Sequence, residues 1–135
     1  MKALFAILLI TLCISCSRDA RSSKTIWKKH KDEFKDIVIL LKSGKLRIVY
    51  GRAGYEIPDS FRIKAIAGSI VFRETDFTYD SSYSILFRMG FDSSHLLRKY
   101  PTFVYTDNRK RQLEYDSKPN HVEKLEYNWY FLSNE

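Results

Sequence analysis

From Thr25 to Lys42 the apolar positions recur at the spacing of an α-helix. Ile26, Trp27, His30, Phe34, Ile37, Val38 and Leu41 fall on one stripe, the arrangement of a helix with a single buried face. Ser23 or Thr25 can cap its start, and Gly44 stands where a left-handed residue closes a helix. Lys28 and Asp32, four apart, can pair weakly on the outer face. Ile39 is the one apolar residue off the stripe. His30 lies within it, where a histidine is expected as a packed core residue rather than a ligand.

Beyond the helix the period changes to two. Leu46 to Tyr50 alternates and reads as a short strand, or as the end of a further helical segment. Gly51, Gly54, Pro58 and Asp59 mark a loop. Arg62 to Glu74 is the next strand candidate, and its small residues Ala65, Ala67, Gly68 and Ser69 suggest close approach of the helix or a bulge at Gly68. Thr75 to Ser82 is polar and turn-like. Tyr83 to Phe91 places Tyr83, Ile85, Phe87 and Met89 on one strand face. Asp92, Ser93 and Ser94 can cap one short turn, His95 to Tyr100, stopped by Pro101. Thr102 to Thr106 is a short strand, Asp107 to Lys118 a charged connection, and Pro119-Asn120 a turn. Val122 to Leu132 reads as one last strand, with Leu125, Tyr127, Trp129 and Phe131 alternating against Lys124, Glu126, Asn128 and Tyr130. These elements predict an α+β domain over 25–135, with the N-terminal amphipathic helix packed on an antiparallel sheet of about four strands.

The first fourteen residues follow neither period. Ala3 to Ile14 is a continuous apolar run behind Lys2. A span needs roughly 20 apolar residues, whereas a run of about a dozen behind a cation has the length of an export signal's core. The run ends in Cys13-Ile14-Ser15-Cys16, which resembles the lipobox of bacterial lipoproteins, in which a small residue precedes the lipidated cysteine. Ser15 and Cys16 fit that pattern. Cys13 stands where the family has Leu, and Leu12 sits one place early, which leaves room for cleavage near Ser15 or Ser17 and a soluble secreted or periplasmic product. The resemblance implies a cleaved signal over 1–15, a lipidated Cys16 with a polar tether over 16–24, and a membrane-anchored protein of the cell envelope. Ser17 after the cysteine, rather than Asp, implies the outer membrane if sorting follows the enteric pattern. The domain itself is reminiscent of small bacterial lipoproteins that end in a similar aromatic strand. Both cysteines of the chain lie in this leader, so a disulfide framework and a cysteine nucleophile are excluded from the domain.

Composition adds two facts. Aromatic residues make up 15% of the chain, with nine Tyr and nine Phe, which suits a sheet-rich core. Net charge is +7, favouring anionic neighbours such as lipid headgroups, polyanionic glycans or acidic proteins. Acids are interleaved with the cations, so most of the charge is expected to be solvated surface. Arg18, Arg21, Lys24, Lys28, Lys29 and Lys31 would lie near the membrane if Cys16 is acylated.

Recognisable chemistry is sparse. His30, His95 and His121 have no metal-ligand spacing, and no calcium loop, phosphate loop or nucleophile elbow is present; no cofactor or metal is expected. The run Arg109-Lys110-Arg111 is the sharpest basic feature and the candidate contact for an anionic polymer or acidic protein. With Tyr105 and Tyr115 nearby it could stack nucleic acid bases, but an exported compartment argues against that ligand. The leading expectation is a non-enzymatic binding module, of immunity or inhibitor type. The alternative is a small hydrolase that uses His95 and His121 as acid and base.

Overall fold

The computed structural model describes residues 18–51, 53–75, 83–90 and 101–133. The expected leader with Cys16, residues 76–82 of the expected turn and the segment holding His95 lie outside these residues. The chain divides into two compact units, Met1–Lys31 and Asp32–Glu135. Helix α1 (Arg18–Lys42) runs through that division. In the first unit it starts inside the segment read as a tether, and Ser23, Trp27 and His30 are buried.

The second unit contains a seven-stranded, wholly antiparallel sheet. Its strands are β1 (Ile48–Tyr50), β2 (Gly54–Glu56), β3 (Ile70–Thr75), β4 (Tyr83–Arg88), β5 (Thr102–Thr106), β6 (Val122–Glu126) and β7 (Trp129–Leu132). Two shorter helices, α2 (Lys64–Ala67) and α3 (Arg109–Asp116), complete it. The α+β class stands, but the sheet is larger than the expected four or so strands. β1 to β5 form a meander, after which the order becomes β5-β7-β6. β6 therefore runs parallel to β5 with β7 between them, and α3 makes the connection, as a parallel crossover requires.

Within the second unit, one face of the sheet is covered by the part of α1 that follows Lys31. Phe34, Ile37, Val38 and Leu41 are buried, and the Phe34 ring lies 4.9 Å from Phe87, 4.8 Å from Phe103 and 5.9 Å from Trp129. The register explains this convergence: Phe87 stands opposite Phe103, Phe103 opposite Phe131, and Tyr105 opposite Trp129. The other face holds Phe72, Leu86, Val104 and Tyr130, which cluster with Tyr115 of α3. A strand buried on both faces reads as a continuous run of β-formers rather than an alternation. Thr102-Phe103-Val104-Tyr105-Thr106 at the centre of the sheet is such a strand.

Four sequence readings change. The loop over 51–59 contains β2, which returns on β1 from Gly54, after Gly51 at φ 57°. The strand candidate over 62–74 is α2 followed by β3, separated at Gly68, whose φ of 78° stops the helix. The charged connection over 107–118 is mostly α3. The last strand over 122–132 is a hairpin: Asn128 adopts φ 67°, and a left-handed asparagine is typical of tight turns. The hairpin separates Tyr127, which is 80% exposed, from Trp129, which is 3% exposed, although a single strand would put them on one face.

Candidate functional site

The basic run lies in the first turn of α3. Asn108 precedes it as the N-cap, and its Oδ1 accepts from the backbone N–H groups of Lys110 at 3.0 Å and Arg111 at 3.2 Å. The chain starts a helix here because Asn108 satisfies two donors that would otherwise be unpaired. The three cations then diverge. Arg109 Nη1 donates to Gln112 Oε1 at 3.4 Å. Arg111 reaches back to β3, pairing with Glu74 at 3.1 Å and with Glu114 at 3.5 Å. Lys110 is exposed. Glu114 also pairs with Lys118 at 3.1 Å. That hydrogen bond is the main reason its carboxyl lies below its ordinary pKa; burial opposes it, and the charges of Lys118 and Arg111 add smaller lowering effects. Cations in a first turn oppose the helix dipole by about 0.3–1 kcal/mol each, so Arg109 and Lys110 do not stabilise α3, whereas Arg111 ties it to the sheet.

Behind the run lies a buried polar cluster around Thr106. Its hydroxyl accepts from Ser84 Oγ at 2.9 Å and from the Asn108 N–H at 3.2 Å. Its carbonyl accepts from Gln112 Nε2 at 3.0 Å, and its N–H donates to the Asn128 carbonyl at 2.9 Å. Gln112 Nε2 also donates to Asn128 Oδ1. Buried polar groups that satisfy one another specify geometry. Here they join β4, β5, the start of α3 and the β6–β7 turn, which is the role of a fastening rather than of a site.

On the α1 side, Lys42 Nζ donates to the Tyr105 hydroxyl at 2.8 Å and pairs with Asp107 at 3.5 Å, and Lys35 pairs with Glu126 at 2.7 Å. On the other face, burial pushes the Tyr115 phenol up. Burial, followed by the charge of Asp116, does the same to Tyr130, whose hydroxyl donates to Asp116 Oδ1 at 3.5 Å.

Of the candidate catalytic pair, His121 is exposed in the turn before β6, and His95 lies outside the described residues. Among the described residues no group of three or more His, Cys, Asp or Glu side chains converges as a metal site, and no helix is long and apolar enough to cross a membrane. A shallow groove of about 270 Å³ opens between residues 45–47 and 56–59, slightly below the usual volume of a small-molecule pocket, about 300–1,000 Å³. Arg47 pairs with Glu56 across it at 3.2 Å. Asp59 at its rim is held below its ordinary pKa by Lys64, through their hydrogen bond first and their charges second.

Sequence reasoning missed the exposed apolar side chains. Ile39 is 61% exposed, Ile48 57%, Leu113 54% and Tyr127 80%. Only Ile39 carried a signal, its position off the helical stripe. No family model matches the chain, and neither a curated protein nor a solved structure matches it.

Proposed function

We propose that this chain is an exported lipoprotein, anchored in the cell envelope through acylated Cys16, whose domain is a non-enzymatic binding module of immunity or inhibitor type. The anchor rests on the sequence Cys13-Ile14-Ser15-Cys16 behind its apolar run. The observation that supports a binding role is the set of large apolar side chains left in solvent, Ile48 on β1, Leu113 on α3 and Tyr127 in the β6–β7 turn, although both faces of the sheet are packed. Side chains of this kind on a fixed scaffold are anchors for a partner. Arg109 and Lys110 supply a cationic contact for an anionic partner, because their charge does nothing for the helix that carries them.

Two measurements test this. Radiolabelled fatty acid is expected on the native chain and not on Cys16→Ala, which should leave the membrane fraction; label on Cys16→Ala overturns the anchor. A photo-crosslinker at Tyr127 is expected to form one discrete adduct in the native envelope, while the same group at exposed Lys118 forms none. Indistinguishable adduct patterns at the two positions overturn the binding role.

A further inference from the structure

We infer that the open edge of β1, together with the groove beside its first residues, binds an extended acidic segment of a partner protein. The inference rests on the binding-module reading above and assigns it a surface and a ligand chemistry.

The two edges of the sheet differ. β6 presents Glu123, Lys124 and Glu126 within five residues, and charged side chains on an edge are a standard defence against unwanted pairing. β1 presents Ile48 and Val49. Ile48 is 57% exposed and Val49 37%, so the edge is apolar as well as open.

The backbone is also presented there. The Glu56 N–H donates to the Arg47 carbonyl at 2.8 Å, and Ile48 stands opposite Tyr55. In an antiparallel ladder alternate residues turn their polar groups to opposite sides. Arg47 faces β2, so the N–H and C=O of Ile48 face outward. The register shifts between Ile48 and Tyr50, which ends the regular edge on that side. An added chain pairs at Ile48 and continues toward Lys45, where the groove lies. Strand addition of this kind takes its affinity from the backbone and its specificity from flanking pockets.

Charge selects the ligand. Among the described residues, the groove and its rim carry Lys45, Arg47 and Lys64 against Glu56 and Asp59. Both carboxylates are engaged, Glu56 with Arg47 and Asp59 with Lys64, while Lys45 is exposed on the groove wall. An acidic strand would therefore meet a small net positive charge, centred on Lys45, at the groove end of its path. A second copy of this chain would bring a net charge of +7 against +7, which disfavours self-pairing at this edge.

The test uses the full chain in non-ionic detergent and a dye-labelled peptide of alternating glutamate and valine, read by fluorescence anisotropy. Two control peptides keep the pattern: one has alternate backbone amides N-methylated, and the other has lysine for glutamate. The acidic peptide is expected to bind saturably and to slow hydrogen exchange at the Ile48 amide. N-methylation is expected to weaken it by about tenfold or more, the equivalent of one or two backbone hydrogen bonds, and the lysine peptide is expected not to bind. Ile48→Pro, which removes the outward donor, should weaken binding similarly; because it could disturb the hairpin, the peptide controls on the unaltered chain carry the test independently. Equal binding by the N-methylated peptide, or protection at 109–111 in place of Ile48, overturns the edge assignment. Dimerisation of the free chain that Ile48→Pro abolishes overturns it in favour of a second copy. In each of these cases the crosslinking result at Tyr127 stands or falls separately, so failure of the edge is distinguishable from failure of the binding role.

Discussion

Trp129 and Tyr127 are two residues apart, and their truncation to alanine should have very different consequences. Trp129 is buried and touches three rings: Phe34 at 5.9 Å, Phe87 at 6.0 Å and Tyr105 at 5.4 Å between centroids. Phe34 and Phe87 are themselves fully buried, so the space left by the indole cannot fill with water or collapse cheaply. Trp129→Ala should cost about 3–5 kcal/mol, including the favourable edge contacts between rings, worth about 0.5–1.5 kcal/mol per pair. A domain of this size has roughly 5–15 kcal/mol in total, and 1 kcal/mol moves Tm by roughly 4–8 °C. Thermal unfolding followed by circular dichroism should therefore show a drop of at least about 12 °C, or no cooperative transition. Tyr127 stands in the hairpin turn, and Tyr127→Ala should shift stability by less than about 0.5 kcal/mol. Comparable losses from the two variants would refute the hairpin and restore one continuous strand. An unchanged Tm for Trp129→Ala would refute the packing of α1 on this face.

The basic run offers a second contrast. Arg111→Glu places a carboxylate beside Glu74 and Glu114 and should destabilise by about 1 kcal/mol in urea melts, lost pairing and repulsion outweighing the gain at the helix dipole; Lys110→Glu has only that gain and should be neutral or slightly stabilising, so equal effects would refute the division of roles. Gln112→Ala leaves the Thr106 carbonyl and Asn128 without their shared donor and should cost about 1–3 kcal/mol; a value near zero would show that the cluster does not fasten α3. Above pH 10.0 the unfolded chain ionises its tyrosines while Tyr115 and Tyr130 hold their protons, so their contribution is complete below that pH and is lost as pH rises toward the folded values. Tyr115→Phe should flatten this alkaline decline in denaturant midpoints, and an unaltered slope would refute the assignment.

The stripe from Phe34 to Leu41 was legible because a helix repeats its buried positions at fixed intervals, and every one of Phe34, Ile37, Val38 and Leu41 is buried. Thr102–Thr106 was legible for a similar reason: five residues that all favour strands leave no competing period. α3 was not legible, because Leu113 is exposed and only Gln112 and Tyr115 of its eight residues are buried. Its start depends on Asn108, whose N–H donates to the Thr106 hydroxyl, and that hydroxyl is held in turn by Ser84 of β4, a contact that exists only once β5 is in the sheet. The β6–β7 hairpin was hidden because Tyr127 keeps an apolar alternation running through the turn, and the left-handed Asn128 has no counterpart in a hydropathy pattern.

The linear pattern by itself determined the helical stripe and the strand-forming core segments, since each depends on residues close together in the chain. Tertiary structure alone decided the second covered face, the crossover that places β6 beyond β7, and the fate of the basic run. Arg111 meets a carboxylate thirty-seven positions away, while its two neighbours keep their charge in solvent. Which member of a charged run is held by the fold depends on what the sheet brings opposite it, and chain spacing carries no record of that.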